Sequence, residues 1–199
     1  MEPQTSFARL GKDRIAYQVM GDGPLDLVFT PGSFGNIDII LEDPGAVLFF
    51  NRLASFTRLI RFDRRGTSAS DRLPLESLPS WESYAEELQA VLDEVGSERS
   101  AIMASLDGGP MAMLFAATYP ERTIALILAN TSARLLEDDG YPGVSPSAAA
   151  AMLERMEELW GTEGWAAVQI PSRAGDERFT RWYAKMVRAI GSTAAAQAS

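Results

Sequence analysis

Ser105 and Asp107 are the side chains best placed to attack a substrate. They stand where a strand-like apolar run meets the glycine pair Gly108-Gly109. A strand that turns sharply into a glycine-opened helix can present one side chain at a strained turn, where a hydroxyl or carboxylate can act as a nucleophile. The residue at the centre of this turn is Leu106, which has no nucleophilic atom. The chain also has no histidine, the side chain that most often serves as the base.

Neither neighbour of Leu106 can simply replace it. Ser105 ends the predicted strand, so the alternation of side chains turns it towards the opposite face. A one-residue slip would place Met103 and Asp107 where the turn needs glycine. We therefore expect the Ser105 hydroxyl to be buried and bonded to backbone. Asp107 is expected to be a residue at the helix N-terminus that complements the helix dipole.

Composition excludes disulfides, thiolate catalysis and most transition-metal sites. Cysteine is absent, so the chain has no disulfide, no thiolate nucleophile and no cysteine-ligated zinc. Without histidine, only an all-oxygen site for calcium or magnesium could form. The acidic cluster Glu137-Asp138-Asp139 lacks the spacing of metal ligands and is predicted to be a solvated loop. We expect no metal and no cofactor.

The net charge of −9 restricts the partners of the chain. A surface that binds nucleic acid is basic, because contacts to phosphate supply much of the affinity. An anionic membrane would repel the chain as well. The N-terminus has no signal-peptide pattern, and no apolar run is long enough to span a bilayer. The expectation is a cytoplasmic protein that binds neither nucleic acid nor membrane.

The hydrophobic pattern predicts an α/β fold with a mostly parallel sheet. A hairpin at the N-terminus is followed by strands that alternate with helices. The predicted strands are Thr5–Leu10, Arg14–Met20, Leu25–Thr30, Arg58–Asp63, Ser100–Ser105 and Thr123–Asn130. The last of these is continuously apolar, as in a strand covered on both faces. Helices are expected within Val47–Phe56, from the N-cap Ser80 to Gly96, and over Gly108–Tyr119.

Two further helices are predicted to form a cap over the sheet. The first has an apolar face that runs from Ala149 to Trp160, and the second has one from Phe179 to Ile190. The expected division is a core at residues 1–135 and a helical cap region at residues 136–199. The second face is too apolar to be left in water, and part of the sheet edge lacks cover. This predicts a second copy, a following domain or a further C-terminal segment as partner.

Three motifs occur in the order found in α/β hydrolases. Thr30-Pro-Gly-Ser-Phe34 follows the third strand, and Asp63-Arg-Arg-Gly-Thr-Ser-Ala-Ser-Asp71 follows the fourth. Ala104-Ser-Leu-Asp-Gly108 then stands at the place of the Gly-x-Ser-x-Gly nucleophile turn. The chain therefore resembles the α/β-hydrolase superfamily over about residues 5–135. Within it, Ile15–Pro24 and Arg52–Phe56 are similar to the hydrolase-like domains that precede class III adenylate cyclases in actinobacteria.

The resemblance implies a site with several parts missing. Leu106 holds the position of the nucleophile, and the last two strands, which usually carry the acid and the histidine, are not found in this sequence. The N–H of Asp107, with that of Ser33 or Phe34, would form a pair like an oxyanion hole. Phe34 and Trp160 are the candidates for lining a pocket beneath the cap.

Three functions follow from these observations. The first is a catalytically degenerate hydrolase domain that binds a small apolar or ester-like ligand, or that regulates an associated enzyme, by resemblance a nucleotide cyclase. The second is the N-terminal part of an esterase-like serine hydrolase whose acid and histidine lie beyond residue 199. The third is a structural module that dimerises through its cap helices.

Overall fold

In the computed structural model, which describes residues 3–30, 32, 35–74 and 79–192, the chain folds around a six-stranded sheet. The strands are β1 (Ser6–Leu10), β2 (Asp13–Met20), β3 (Asp26–Thr30), β4 (Arg58–Phe62), β5 (Ser100–Ser105) and β6 (Thr123–Ala129). Their spatial order is β1-β2-β4-β3-β5-β6. β1 and β2 form the predicted hairpin, β2 is antiparallel to β4, and the remaining pairs are parallel. The predicted α/β fold with a mostly parallel sheet is confirmed.

Six α-helices occur within the described part of the chain. They are α1 (Pro44–Ala54), α2 (Trp81–Glu94), α3 (Gly108–Thr118), α4 (Pro146–Leu159), α5 (Glu163–Gln169) and α6 (Glu177–Ile190). Short 3-10 turns occupy Ile39–Glu42, Pro120–Arg122 and Pro171–Arg173. No helix in these ranges is both long enough and apolar enough to cross a bilayer.

Two helices differ from the sequence prediction. α1 begins at Pro44 rather than after it, because the Asp43 carboxylate accepts a hydrogen bond from the Ala46 N–H at 3.0 Å and caps the helix. Proline fits the first helical turn, where its missing N–H would have no partner. α5 was not predicted, because its seven residues are too few to show a helical period.

The helices cover the two faces of the sheet unequally. On one face, α2 and α3 pack against β1, β2, β4, β3 and β5, and enclose the main apolar core. On the other face, α1 packs through Phe50 against Leu27 and Leu59. The predicted N-cap of α2 is present, since the Ser80 hydroxyl accepts from the Ser83 N–H. The core therefore lies over the strands that lead towards the β5–α3 turn.

The apolar sequence of β6 predicted a strand that is buried on both faces, but the structure shows that β6 is largely exposed. Ile124, Ile127 and Leu128 are 48%, 45% and 43% exposed. The reason is its position, because β6 pairs with β5 on one side and has no neighbouring strand on the other within the described residues. Leu126 alone of its large side chains packs against the core beneath α2 and α3. The apolar sequence of a strand therefore does not determine whether both of its faces are buried. Burial depends on the position of the strand in the sheet.

The cap also differs from the prediction. The apolar face of α6 is already covered inside the chain, because Phe179, Tyr183 and Val187 are buried in a second core with Trp165 of the unpredicted α5. The argument that this face needs an external partner was therefore wrong. The apolar face predicted for α4 is instead mostly exposed to solvent. Only Met156 of that helix is buried, and its Met152 and Leu153 are exposed.

Candidate functional site

The turn between β5 and α3 keeps the sharp geometry that the sequence predicted. Leu106 has φ +52°, a left-handed conformation that a leucine rarely adopts. Such a residue costs about 1–3 kcal/mol and persists only where its surroundings fix it. The Thr131 hydroxyl donates to the Leu106 carbonyl at 2.5 Å and so holds the turn from the segment after β6.

Two glycines allow other chain segments to approach this turn. A Cβ on Gly108 would lie 2.6 Å from the Thr30 carbonyl oxygen at the end of β3. A Cβ on Gly32, which has φ +81°, would collide with the Asp107 carboxylate and would lie 2.8 Å from the Gly108 nitrogen. The loop after β3 is therefore packed directly against the first turn of α3. This is the arrangement that the motif order implied.

The side chain presented by the turn is that of Leu106, which is 46% exposed. It offers only a hydrocarbon surface at the place where a nucleophile would stand. Ser105 is the last residue of β5, where it pairs with Ala129, and is therefore not at the turn. Its hydroxyl was expected to be buried and bonded to backbone. The residue is instead half-buried, and no described residue forms a hydrogen bond with its hydroxyl.

Asp107 serves as an ion-pair partner. It is the N-cap residue of α3, but its carboxylate makes no capping bond to the helix. Its Oδ2 accepts from Arg64 Nη2 at 2.5 Å, and the guanidinium of Arg64 is buried over the ring of Tyr84. A carboxylate held in a charge-assisted hydrogen bond is a poor nucleophile, because the bond stabilises its ground state. Its backbone N–H still lies at the turn.

Two of the predicted site residues, Ser33 and Phe34, lie outside the described residues. Their neighbour Gly35 accepts a hydrogen bond from the Ser68 hydroxyl at 2.7 Å, which ties the loop after β3 to the loop after β4. Trp160 is found in the core of the cap. Its ring lies 5.9 Å from that of Trp165, and its indole N–H donates to the Gly191 carbonyl at 3.0 Å.

A buried polar cluster beside the site was not predicted. Asp63, at the end of β4, accepts from the Ile37 N–H at 3.1 Å and from the Ala69 N–H at 3.2 Å. Arg61, also buried, donates to the Ile37 carbonyl at 2.7 Å. Burial raises the pKa of Asp63 to about 7, an effect that nearby Asp38 strengthens and the two N–H donors oppose. Burial also disfavours the charged form of Arg61 and lowers its pKa to about 10, so the guanidinium remains charged at neutral pH.

This cluster borders a cavity of about 10 Å³, between Asp63, Arg61 and the rings of Phe29 and Phe50. A cavity of that size holds about one water molecule, so it cannot take an ester or acyl group. The larger cleft, of about 170 Å³, lies between the N-termini of α1 and α6, beside Asp43 and Trp182.

The loop after β4 is held by ion pairs of Arg64 and Arg65. Arg65 contacts the carboxylates of Glu87 and Asp13, each at 2.8 Å. Its backbone N–H also donates to Glu87 at 3.0 Å. Glu87 is fully buried on α2, and burial raises its pKa despite these partners. No group of three or more carboxylates that could hold a metal ion occurs within the described ranges.

Comparison with known proteins shows a clear structural likeness. No protein-family profile matches the sequence, and no curated protein sequence matches it. Among solved structures, an esterase from Exiguobacterium antarcticum has a TM-score of 0.80 at 19% identity, covering 98% of this chain and 72% of its own. An esterase from a Rhodococcus species has a TM-score of 0.76 at 17% identity, with the same coverage.

A hydrolase from Pseudomonas aeruginosa has a TM-score of 0.74 at 20% identity, covering 98% of this chain and 71% of its own. At such low identity, the likeness concerns the fold and carries no residue roles. The chain has the fold of the α/β-hydrolase esterases and hydrolases.

Proposed function

We propose that this chain is a catalytically degenerate α/β-hydrolase domain with a regulatory or assembly role. The observation that carries the proposal is Leu106. It occupies the strained left-handed position of the β5–α3 turn and turns a half-exposed hydrocarbon side chain outwards. The surroundings of a catalytic turn are preserved, and the reactive atom is replaced.

Ester hydrolysis needs a nucleophile, a base and donors for the oxyanion. Ser105 lies in the strand rather than at the turn, and Asp107 is engaged by Arg64. The sequence supplies no histidine to activate either residue. When members of a catalytic triad are lost, most of the rate is lost with them, and what remains comes from binding and the oxyanion hole.

The exposed surface of the turn favours a regulatory role. The hydrocarbon side chain of Leu106 is 46% exposed, and an exposed apolar side chain of this kind suits contact with another polypeptide. The resemblance of Ile15–Pro24 and Arg52–Phe56 to cyclase-associated domains makes a nucleotide cyclase the proposed regulated enzyme.

An esterase assay tests the loss of activity. The chain and its Ser105→Ala and Asp107→Asn variants are incubated with p-nitrophenyl acetate, with the heat-denatured chain as the blank. We expect the three rates to equal the blank. Saturable hydrolysis that disappears in Ser105→Ala or in Asp107→Asn would overturn the proposal. Leu106→Ser should also remain at the blank, because the new hydroxyl has no base.

A second candidate function has support from the comparisons. This chain covers 71–72% of the three solved hydrolases, of which two are described as esterases. The chain would then be the N-terminal part of an esterase-like hydrolase with its acid and histidine further along. Sequencing the gene beyond the codon for Ser199 separates the two. A cyclase domain there supports regulation, whereas two more strands followed by a histidine support the esterase.

A further inference from the structure

We propose that the cavity between Arg61 and Asp63 binds one internal water molecule, which bridges the two side chains beneath the loop after β3. The site is separate from the function proposed above, since it involves neither Leu106 nor the β5–α3 turn. Arg61 and Asp63 are 2% and 4% exposed. They stand on and just after β4, an inner strand that pairs with β2 and β3. The site therefore lies in the covered interior of the fold.

The guanidinium of Arg61 carries a buried donor that needs a partner. Its Nη2 atom donates to the side-chain oxygen of Gln18 and to the Ile37 carbonyl, the latter at 2.7 Å. The ring of Phe50 packs against the guanidinium, with its centroid 4.3 Å from Cζ. The Nε–H is buried as well and forms no hydrogen bond with any described residue. A buried donor of this kind is costly without a partner, and an ordered water molecule commonly provides one.

Asp63 supplies acceptor positions at the same cavity. Its Oδ1 accepts from the Ile37 N–H and its Oδ2 accepts from the Ala69 N–H. An ionised carboxylate has about four acceptor positions, so these two bonds leave a position on each oxygen. Arg61 and Asp63 both line the cavity of about 10 Å³. A donor and an acceptor at one small cavity are the partners that a buried water molecule requires.

The chemistry of the cavity favours water over an ion. Its volume of about 10 Å³ corresponds to one water molecule. A cation could not accept a hydrogen bond from Arg61, and a chloride ion could not donate one to Asp63. Water does both, and it can also accept from Asp63 when that carboxyl group is protonated. The rings of Phe29 and Phe50 form part of the remaining lining, so a larger polar ligand would lack partners there.

The bridge would connect the two side chains that hold Ile37. The N–H of Ile37 donates to Asp63, and its carbonyl accepts from Arg61. A water molecule between Arg61 and Asp63 would fix these two groups relative to each other. The loop after β3 would then be held at both backbone groups of one residue. Loss of the water should therefore loosen this loop first, and exchange of the Ile37 N–H reports such local opening.

A high-resolution crystal structure of the chain tests the site directly. Density for one oxygen atom should lie about 2.7–3.2 Å from Arg61 Nε and at a similar distance from a carboxyl oxygen of Asp63. A cavity without such density would overturn the proposal. A direct hydrogen bond from Arg61 Nε to a protein oxygen would overturn it as well.

Nuclear magnetic resonance tests the same site in solution. A rotating-frame Overhauser spectrum of the 15N-labelled chain should show a cross-peak between the Arg61 Nε–H and water. Its sign should be that of dipolar contact rather than that of chemical exchange. Arg61→Lys removes the Nε–H and so verifies the assignment. An Nε–H signal without a dipolar cross-peak to water would contradict the proposal.

A pair of matched variants links the water to the cavity. Phe29→Trp enlarges a ring that lines the cavity, so it should abolish the cross-peak and speed exchange of the Ile37 N–H about tenfold or more. Phe49→Trp makes the same change at a ring on α1 that is 40% exposed and should leave both readouts unchanged. Circular dichroism verifies that each variant is folded. Ile40→Phe fills the cavity from the 3-10 turn if Phe29→Trp does not fold. A cross-peak that persists in both filled variants would place the water elsewhere and overturn the proposal.

Discussion

The carboxylate of Asp107 meets the guanidinium of Arg64 at 2.5 Å, one residue after Leu106 in the β5–α3 turn. The pair joins the start of α3 to the loop after β4. Arg64 is buried over the ring of Tyr84, so Asp107 forms an ion pair with a guanidinium that has little contact with water. The carboxylate of Asp107, the residue after Leu106, is therefore engaged in an ion pair that joins two loops of the fold.

Substitution of Asp107 tests that role. We expect Asp107→Ala to lower the free energy of unfolding by about 2–4 kcal/mol, because it removes the carboxylate that balances a buried charge. Urea denaturation measures the change. The matched control is Asp138→Ala, which breaks an exposed ion pair with Arg134 and should cost less than about 1 kcal/mol. Equal effects of the two substitutions would contradict the structural role of Asp107.

The strain at Leu106 gives a prediction of the opposite sign. Asparagine tolerates a left-handed backbone better than leucine does, so Leu106→Asn should raise the free energy of unfolding by about 0.5–1 kcal/mol. Leu48→Asn, at an exposed leucine in α1, should lower it by about 0.5 kcal/mol, because asparagine is a weaker helix former. Thermal unfolding of the two variants provides the comparison. If Leu106→Asn is as destabilising as Leu48→Asn, the turn is not strained.

Asp63 should make stability depend on pH. Burial raises its folded-state pKa to about 7, whereas an unfolded aspartate titrates near 3.9. Between about pH 4 and pH 7, the Asp63 carboxyl therefore keeps its proton in the folded chain but has lost it in the unfolded chain. The contribution of this group is complete below pH 4 and is lost as the pH rises to about 7.

The measurement compares the chain with Asp63→Asn in urea at a series of pH values. The unfolding free energy of Asp63→Asn, relative to that of the parent chain, should rise from pH 4 to pH 7. It should then stay constant above about pH 8. Any constant offset reflects the altered hydrogen bonds to Ile37 and Ala69. The exposed Asp22→Asn provides the control. A difference that does not vary with pH would show that folding leaves the pKa of Asp63 unchanged.

Gly108 should be intolerant of any side chain. A Cβ there would press against the Thr30 carbonyl at 2.6 Å, and backbone on both sides prevents relaxation. Gly108→Ala is expected to destabilise the chain by about 2–4 kcal/mol, as overpacking of a rigid site does. Gly175→Ala meets no atom within 4 Å and should change stability by less than about 0.5 kcal/mol. Chemical denaturation measures the unfolding free energy of both variants. The comparison separates the effect of close packing at Gly108 from the effect that any glycine-to-alanine substitution has on stability.

The sequence predicted what depends on local pattern and missed what depends on tertiary neighbours. Strand and helix positions followed from hydrophobic period, and the β5–α3 turn followed from Gly108-Gly109 beside a buried strand. The exposure of Ile127 could not be predicted, because the same residues in a central strand would be covered. The Asp63 cluster was missed for a similar reason, since the loops that it joins are more than twenty residues apart.

The cap illustrates the same limit. The apolar side chains of α6 were identified correctly, but their partner was the short helix around Trp165, which shows no period in the sequence. On the same helix, the Trp182 indole N–H donates to the Ile39 carbonyl at 3.0 Å in its own chain. An apolar helix face shows that a helix needs cover, and long-range packing determines which residues provide it.

The turn at Leu106 is shaped by Gly108, Gly32 and Thr131, and the side chain that it carries is free to change. Since the natural chain lacks cysteine, Leu106→Cys would introduce a single thiol at an exposed position on a helix N-terminus, where thiolates are favoured. A maleimide dye or spin label would then attach at one defined atom. The side chain at the centre of the β5–α3 turn thus becomes an addressable anchor for spectroscopy.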